Sequence, residues 1–363
     1  MSRYISLRDF DWVLLTLVLL ICAIGVVQIY SATLNTKFVD FHIKQIYWIV
    51  AGVIVMFITS TINYQVLLEK VPLMYVASIA SLVAVLLFGR TYLGAKRWIM
   101  IGGQHFQPSE WVKLVLILAM AKYFAEGRQR EGELGDIIRA GMLIGFPMFL
   151  VLIQPDLGTS LTYCAIAIMG LFLGGLRMKH AAIVLLIFTL LTPVIYKYGL
   201  KEYQRHRLIT FVNPEADPQH KGYQVIQSLI AVGSGGITGK GPTKGTQVQG
   251  AFLPIPQTDF IFSAFAEEWG FVGVVVVLLL YFMVLMRLVA NAQTAPDRAG
   301  AFVIMGVVAV LTFHILVNIG MVVGFAPVTG IPLPLMSYGG SAMLFTFLAL
   351  GIVMNIRMRR FVN

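Results

Sequence analysis

Charge is scarce in this chain. Only 12% of its 363 residues are charged, against ~25% in a soluble domain. With 58% hydrophobic residues and a mean hydropathy of +0.83, that scarcity excludes a water-soluble globule. It also removes nucleic acid as a partner. The net charge of +10 is spread through loops between apolar runs, as the positive-inside rule explains, and forms no single patch. Cysteine is nearly absent: Cys22 and Cys164 fall mid-span in different runs, so no disulfide framework is present. The histidines, His42, His105, His180, His206, His220 and His314, show no His-x-x-x-His spacing, so no zinc site is indicated. The run Gly233-Ser-Gly-Gly-Ile-Thr-Gly-Lys-Gly241 fails as a phosphate loop. The Walker pattern needs Gly five residues before its Gly-Lys pair and Ser or Thr after it, and Ser234 and Gly241 stand there. Ser337-Tyr-Gly-Gly-Ser341 is not a Gly-x-Ser-x-Gly nucleophile elbow.

Long apolar runs are what the chain does have. A membrane helix needs ~20 apolar residues, with ~17 as the floor. Ten runs qualify, near 11–30, 46–62, 71–88, 110–125, 137–153, 158–176, 180–197, 268–290, 300–323 and 338–357. The predicted class is all-α: a polytopic integral membrane protein, one domain over 1–363, with a large loop 198–258 between the seventh and eighth runs. An even count puts both termini on one side. With a cytoplasmic N-terminus the inner segments hold fourteen Lys and Arg, against six on the other side: Lys37, Lys44, Arg90, Lys96, Arg97 and Lys113. Loop 198–258 is left out, because long loops translocate largely regardless of charge. Both termini are therefore expected in the cytoplasm and the large loop outside. Arg3 and Arg8 precede the first run as they would in a secretory signal. That run exceeds the 7–15 residues of a signal's apolar core and no small-residue cleavage site follows, which predicts a retained helix.

The remaining polar residues gather at the outer ends of the runs. Trp98 follows Lys96-Arg97 in the loop 89–109. Ser109 is a candidate N-cap, and Glu110 and Lys113, three apart, share a helical face. Gln154-Pro-Asp-Leu-Gly-Thr-Ser160 is the turn between the fifth and sixth runs, Asp259 opens the eighth, and Ser337–Ser341 opens the tenth. Their shared sidedness argues for an active cleft. Each also has a plainer reading. Asp156 serves equally as a helix cap, Glu110 and Lys113 as a structural ion pair, Trp98 as an interfacial belt residue and Asn318 as a helix–helix hydrogen-bonder. Asp259 is harder to dismiss: Thr258 already offers a cap, apolar residues follow, and an ionisable group at a membrane boundary marks function by default.

Gln154–Ser160, Gly222-Tyr-Gln-Val-Ile-Gln-Ser228, Gly233-Ser-Gly-Gly236, Phe252-Leu-Pro254, Thr258-Asp-Phe-Ile-Phe262 and Pro332-Leu-Pro-Leu-Met-Ser-Tyr-Gly-Gly-Ser341 together resemble the SEDS family (shape, elongation, division and sporulation proteins). The resemblance runs from the first span to the last with the motifs in order. Gly245-Thr-Gln247, and Tyr203-Gln-Arg-His-Arg207 through Asn213-Pro214, are more similar to the elongation branch than to the division branch. The resemblance implies ten spans, cytoplasmic termini in the bacterial inner membrane, and polymerisation of lipid II into a nascent glycan strand. It further implies a class B penicillin-binding protein as partner. By the same resemblance, Asp259 takes the place of an essential aspartate, Trp98 of an important outer-loop tryptophan, and Glu110, Lys113 and Asp156 of cavity-lining residues. Gln257 departs from the His that many relatives carry there.

That activity would join the 4-hydroxyl of N-acetylglucosamine to the anomeric carbon of N-acetylmuramic acid, with departure of a lipid diphosphate. Inversion from an α-linked donor to a β-1,4 product needs one displacement and one base, for which Asp259 is the candidate. Lys113 is the first candidate to meet the developing diphosphate charge, followed by Arg97, Arg207 and Lys240. A divalent cation such as Mg2+ or Mn2+ could share that task, although no ligand cluster marks one. A flippase for the lipid-linked precursor and a noncatalytic scaffold are the competing readings. Transport predicts ionisable groups along the whole path, whereas here they gather at the outer ends.

Overall fold

The computed structural model describes residues 9–92, 95–101, 104–126, 134–199, 202–217 and 221–360; Arg3 and Arg8 lie outside the described residues. Helices dominate. The first half contains α1 Trp12–Thr33, α2 Phe41–Thr61, α3 Tyr64–Glu69, α4 Val71–Phe88, α5 Pro108–Glu126, α6 Leu134–Ile153, α7 Leu157–Leu173 and α8 Met178–Val194. The second contains α9 Glu202–Val212, α10 Lys221–Ser234, α11 Thr246–Gln249, α12 Ile261–Gln293, α13 Arg298–Val322 and α14 Gly340–Met358.

All ten predicted runs fall on helices. Seven of these, α1, α2, α4, α6, α12, α13 and α14, are long and apolar enough to cross a membrane, and the chain is an integral membrane protein. The other three fall short for local reasons. Glu110, Lys113, Lys122 and Glu126 interrupt α5, and α7 and α8 have 17 residues each. One boundary moved substantially: the eighth run was expected near 268, but α12 begins at Ile261. The loop 89–109 is also more ordered than expected. It folds as an antiparallel ribbon, β1 Arg90–Tyr92, β2 Ala95–Ile101 and β3 Gln104–Phe106, in that spatial order.

The bundle is organised around α13, which packs on α12, α5 and α7, while α14 packs on α2 and α1 on α12. Leu73, Val76, Leu87 and Phe88 of α4 stay exposed, as side chains facing lipid do. Lipid offers no hydrophobic drive between helices, so close backbone approach takes over. A Cβ on Gly351 of α14 would strike Met56 and Thr59 of α2, and one on Gly52 of α2 would strike the Phe347 ring.

Two polar devices hold the ends. At one end Asp11 caps α1, accepting from Leu14 N at 3.2 Å. It also accepts from Arg287 Nε at 2.8 Å, Arg357 Nη1 at 2.8 Å and Asn291 Nδ2 at 2.9 Å, tying α1 to α12 and α14. Burial opposes ionisation of Asp11, yet the Arg287 bond, with Asn291, the Leu14 amide and the Arg357 charge, holds its carboxyl below the ordinary value. At the opposite end α12 is broken at Gly270, whose φ of 64° and ψ of −166° suit only glycine. The Gly-rich run fills the break. Lys240 N and Gly241 N donate to Glu267 O and Glu268 O at 3.0 and 2.9 Å, and Phe271 N and Val272 N donate to Gly236 O and Ile237 O at 2.9 and 3.1 Å. A helix broken inside a membrane protein must find such partners. These glycines therefore admit one backbone against another.

Candidate active site

Asp259 is partly exposed and stands two residues before α12. The cap position falls to Phe260, whose side chain makes no capping hydrogen bond. Thr258 does not cap either; its hydroxyl donates back to Ile255 O at 3.4 Å. The Asp259 carboxylate faces Gly330, with Oδ2 3.5 Å from where a Cβ would stand there. Gly330 itself has φ 76°, so a side chain at 330 would be strained. Arg207 of α9 comes to the same stretch, donating from Nη1 to Thr329 O at 3.2 Å. Asn318 of α13 donates from Nδ2 to Asp259 O at 3.0 Å and to Ile331 O at 2.8 Å.

Asp156 meets this stretch from α7. It caps that helix, accepting from Thr159 N at 3.2 Å, and also accepts from Gln107 Nε2 at 2.9 Å and pairs with Arg97 at 3.7 Å. Arg97 Nη2 also donates to Pro155 O. Two residues along, Gly158 packs so closely on Thr329 and Ile331 that a Cβ would collide. Ser109 is not the cap of α5. Pro108 occupies the first helical position with φ preset for it, and Ser109 Oγ instead accepts from Gln107 Nε2 at 3.1 Å.

One turn into α5, Lys113 Nζ donates to Glu110 Oε2 at 2.8 Å, with no exposure of the lysine side chain. The ammonium also lies 4.4 Å from the centre of the Phe345 ring, a cation–π contact. Both residues line a cavity of about 10 Å³, room for about one water, together with His314, Pro332–Leu335 and Ser337. Thr329–Ser337 thus runs as one strip past Asp259, Arg207, the Asp156 turn and the Glu110–Lys113 pair.

A family model described as "Cell cycle protein", for FtsW, RodA and SpoVE, matches residues 11–361. The chain belongs to the FtsW/RodA/SpoVE family. Within it, the chain is 34% identical to peptidoglycan glycosyltransferase RodA of Treponema pallidum, covering 99% of this chain and 100% of that protein. It is 40% identical to peptidoglycan glycosyltransferase MrdB of Escherichia coli K12, over 87% and 85%. Stage V sporulation protein E of Bacillus subtilis matches at 36% over 95% and 96%, so identity alone does not separate the branches. A solved chain from work on coordination of polymerization and crosslinking by a peptidoglycan synthase complex has a TM-score of 0.84. It is 36% identical and aligns over 97% of this chain and 98% of that one.

The other candidates of this FtsW/RodA/SpoVE chain are placed differently. Trp98 sits in β2 opposite Arg90, next to the Arg97 that reaches Asp156. Lys240 is engaged at the break in α12, donating to buried Glu267 at 2.7 Å, to Thr246 Oγ1 at 2.7 Å and to Ser234 Oγ at 2.8 Å. Its charge is matched there by a carboxylate. Three further residues belong to the site's surroundings. His314 approaches Thr162 within 3.2 Å, Glu267 anchors the Gly-rich run, and Asn318 grips the Asp259 backbone. Each carried a signal: Asn318 and His314 are polar groups inside one apolar run, and Glu267 belongs to the acidic pair Glu267-Glu268 that ends the Gly-rich stretch 233–270. Among the described residues no three His, Cys, Asp or Glu side chains converge as a metal-ligating group.

Proposed function

We propose that this chain is a peptidoglycan glycosyltransferase, polymerising lipid II into β-1,4 glycan strands during cell elongation. It would work from the outer face of the inner membrane, with ten crossings, cytoplasmic termini and loop 198–258 outside. Relatives of that name match along nearly the whole chain. The observation that carries the reading is the strip Thr329–Ser337, which gathers a partly exposed carboxylate, a guanidinium and a buried ammonium around one backbone path.

Asp259 takes the proton from the attacking 4-hydroxyl as the oxygen bonds to the anomeric carbon. The bond from that carbon to the lipid diphosphate breaks on the opposite face, leaving one inverted glycosidic link. General-base assistance of this kind is worth ~10²–10⁴-fold. Arg207, which reaches Thr329 O on the strip facing Asp259, is the cation suited to the departing diphosphate. Lys113 is paired and enclosed, so its field acts through Glu110 and the strip. Arg97 holds the Asp156 turn and thereby the ribbon carrying Trp98, and Lys240 holds the outer loop to α12.

The elongation assignment rests on Gly245–Gln247 and Tyr203–Pro214. The partner is a class B penicillin-binding protein, in keeping with the synthase complex that supplies a similar fold. The test is polymerisation of purified lipid II by wild type and Asp259→Ala, each with its penicillin-binding partner, read as glycan length on a gel. Polymer from wild type alone supports both enzyme and base. Equal polymer from both keeps the enzyme and moves the base elsewhere. Polymer from neither turns the reading toward a flippase or scaffold.

A further inference from the structure

The three residues leading into α12 have their backbone carbonyls taken in succession by distant parts of the chain. Gln257 O accepts from Tyr338 N at 2.9 Å. Thr258 O accepts from Ser337 Oγ at 2.7 Å, and Asp259 O from Asn318 Nδ2 at 3.0 Å. These carbonyls precede the ladder of α12, which Ala264 N enters on Phe260 O, so partners must come from outside the helix.

The two side-chain donors are themselves fixed. Asn318 has no exposure, and its second donor reaches Ile331 O at 2.8 Å, so one amide ties Asp259 to the strip that faces its carboxylate. The amide's orientation follows from that network: reversed, Oδ1 would confront two carbonyl oxygens. Held this way, Oδ1 is buried without a hydrogen-bond partner, a cost that an apolar side chain in α13 would not incur. Ser337 Oγ accepts from Leu333 N at 2.8 Å while donating to Thr258 O, and Ser337 O accepts from Gln45 Nε2 of α2 at 3.1 Å. The hydroxyl therefore sits between two backbone groups from opposite sides of the site.

We infer that Asn318 and Ser337 are positioning residues for Asp259. They fix the main chain at 258–259, and through it the place of the carboxylate against Gly330 and the Arg207 stretch, without touching reacting atoms. The inference rests on the reading of Asp259 as base. A misplacement of ~1 Å costs about 10²-fold in rate, which is the scale of effect a lost backbone anchor should have.

The test uses the full chain with its penicillin-binding partner and purified lipid II. Asn318→Asp keeps the shape but removes both amide donors. Because a buried carboxyl then confronts two carbonyl oxygens, the melting temperature of the complex should fall, while kcat per folded molecule drops about 10²-fold and KM stays nearly unchanged. Ser337→Ala should lower kcat about ten-fold, on the same ground of a looser site, and Ser337→Thr, which keeps the hydroxyl, should restore most of it. A second readout needs no activity: in hydrogen exchange, amides of 257–264 should exchange faster in Asn318→Asp while those of α14 do not. Wild-type kcat in Asn318→Asp, or unchanged exchange over 257–264, overturns the inference. So does a fall in melting temperature that accounts for the whole loss of rate. An inactive wild type whose 257–264 exchange still rises in Asn318→Asp supports the anchor and sinks the glycosyltransferase reading instead.

Discussion

Asp11 and Asp259 stand in matching places, each at the threshold of a membrane helix, yet they are built for different ends. Asp11 is 1% exposed, caps its helix and is enclosed by Arg287, Asn291 and Arg357. Asp259 is partly exposed, does not occupy the cap, and has its backbone carbonyl held by Asn318. An enclosed carboxylate stabilises a bundle and is poor at exchanging protons. One that is partly exposed and whose main chain is anchored can take a proton at a fixed point. The contrast teaches that position at a membrane boundary does not separate structure from chemistry; what holds the residue, and by which atoms, does.

The sharpest way to break the comparison is to neutralise each aspartate in turn. Asp259→Asn should lower the polymerisation rate by ~10²–10⁴-fold and leave the melting temperature within measurement error. Equal rates in lipid II assays would end the contrast at once. Next in size is the Glu110–Lys113 pair, which shows what enclosure alone does. Lys113→Met strands a buried carboxylate and should cost ~3–5 kcal/mol, seen in thermal unfolding in detergent. The double variant Glu110→Gln with Lys113→Met should recover most of that stability. If it also recovers the rate, the pair is structural; a stable but slow double variant gives it a share in the chemistry.

Much of this architecture was legible beforehand, and the limits have physical causes. Apolar runs located the helices because a bilayer imposes length and composition on each one separately. Asp156 as a cap and Glu110–Lys113 as a pair were legible because both are local, three residues apart along a helix. The apolar run of α12 was placed late, near 268, because the stretch 261–268 ends in two acids, Glu267 and Glu268. Both are buried by partners far away in sequence: Lys240 for the first, Ser31 and Gln28 for the second. The Gly-rich run had no visible purpose until the break at Gly270 supplied the backbone it fits. Asn318 was seen as a polar group in an apolar run, but its target is a backbone carbonyl, and carbonyls leave no trace in sequence.

Asp11→Asn comes third. Asn caps a helix as well as Asp does, so the substitution isolates the charge. Removing one partner from a buried pair costs ~3–5 kcal/mol; with Arg287 one-third exposed, the loss should sit at the lower end, about 3 kcal/mol. The rate per folded molecule should stay at the wild-type value. A smaller effect is expected at the break: Gly270→Ala forces a Cβ onto Gly239 N at a positive φ, for ~1–3 kcal/mol of strain. Limited proteolysis of loop 198–258 should report it as faster cleavage.

The finest distinction between the two aspartates is in acid. The Asp11 carboxyl titrates below its ordinary value in the folded chain, so the unfolded chain binds its proton first as pH falls. Its contribution is therefore complete above the unfolded carboxylate pKa of about 3.9 and drains away as pH drops through the lower folded value. Melting temperature measured from pH 7 to pH 3 should be level for this group down to about pH 4 and then decline. Asp11→Asn should start lower and lack that increment of acid loss. Parallel curves for the two proteins would mean that the arginines do not hold Asp11 as a charge. Asp11 would then differ from Asp259 in burial only.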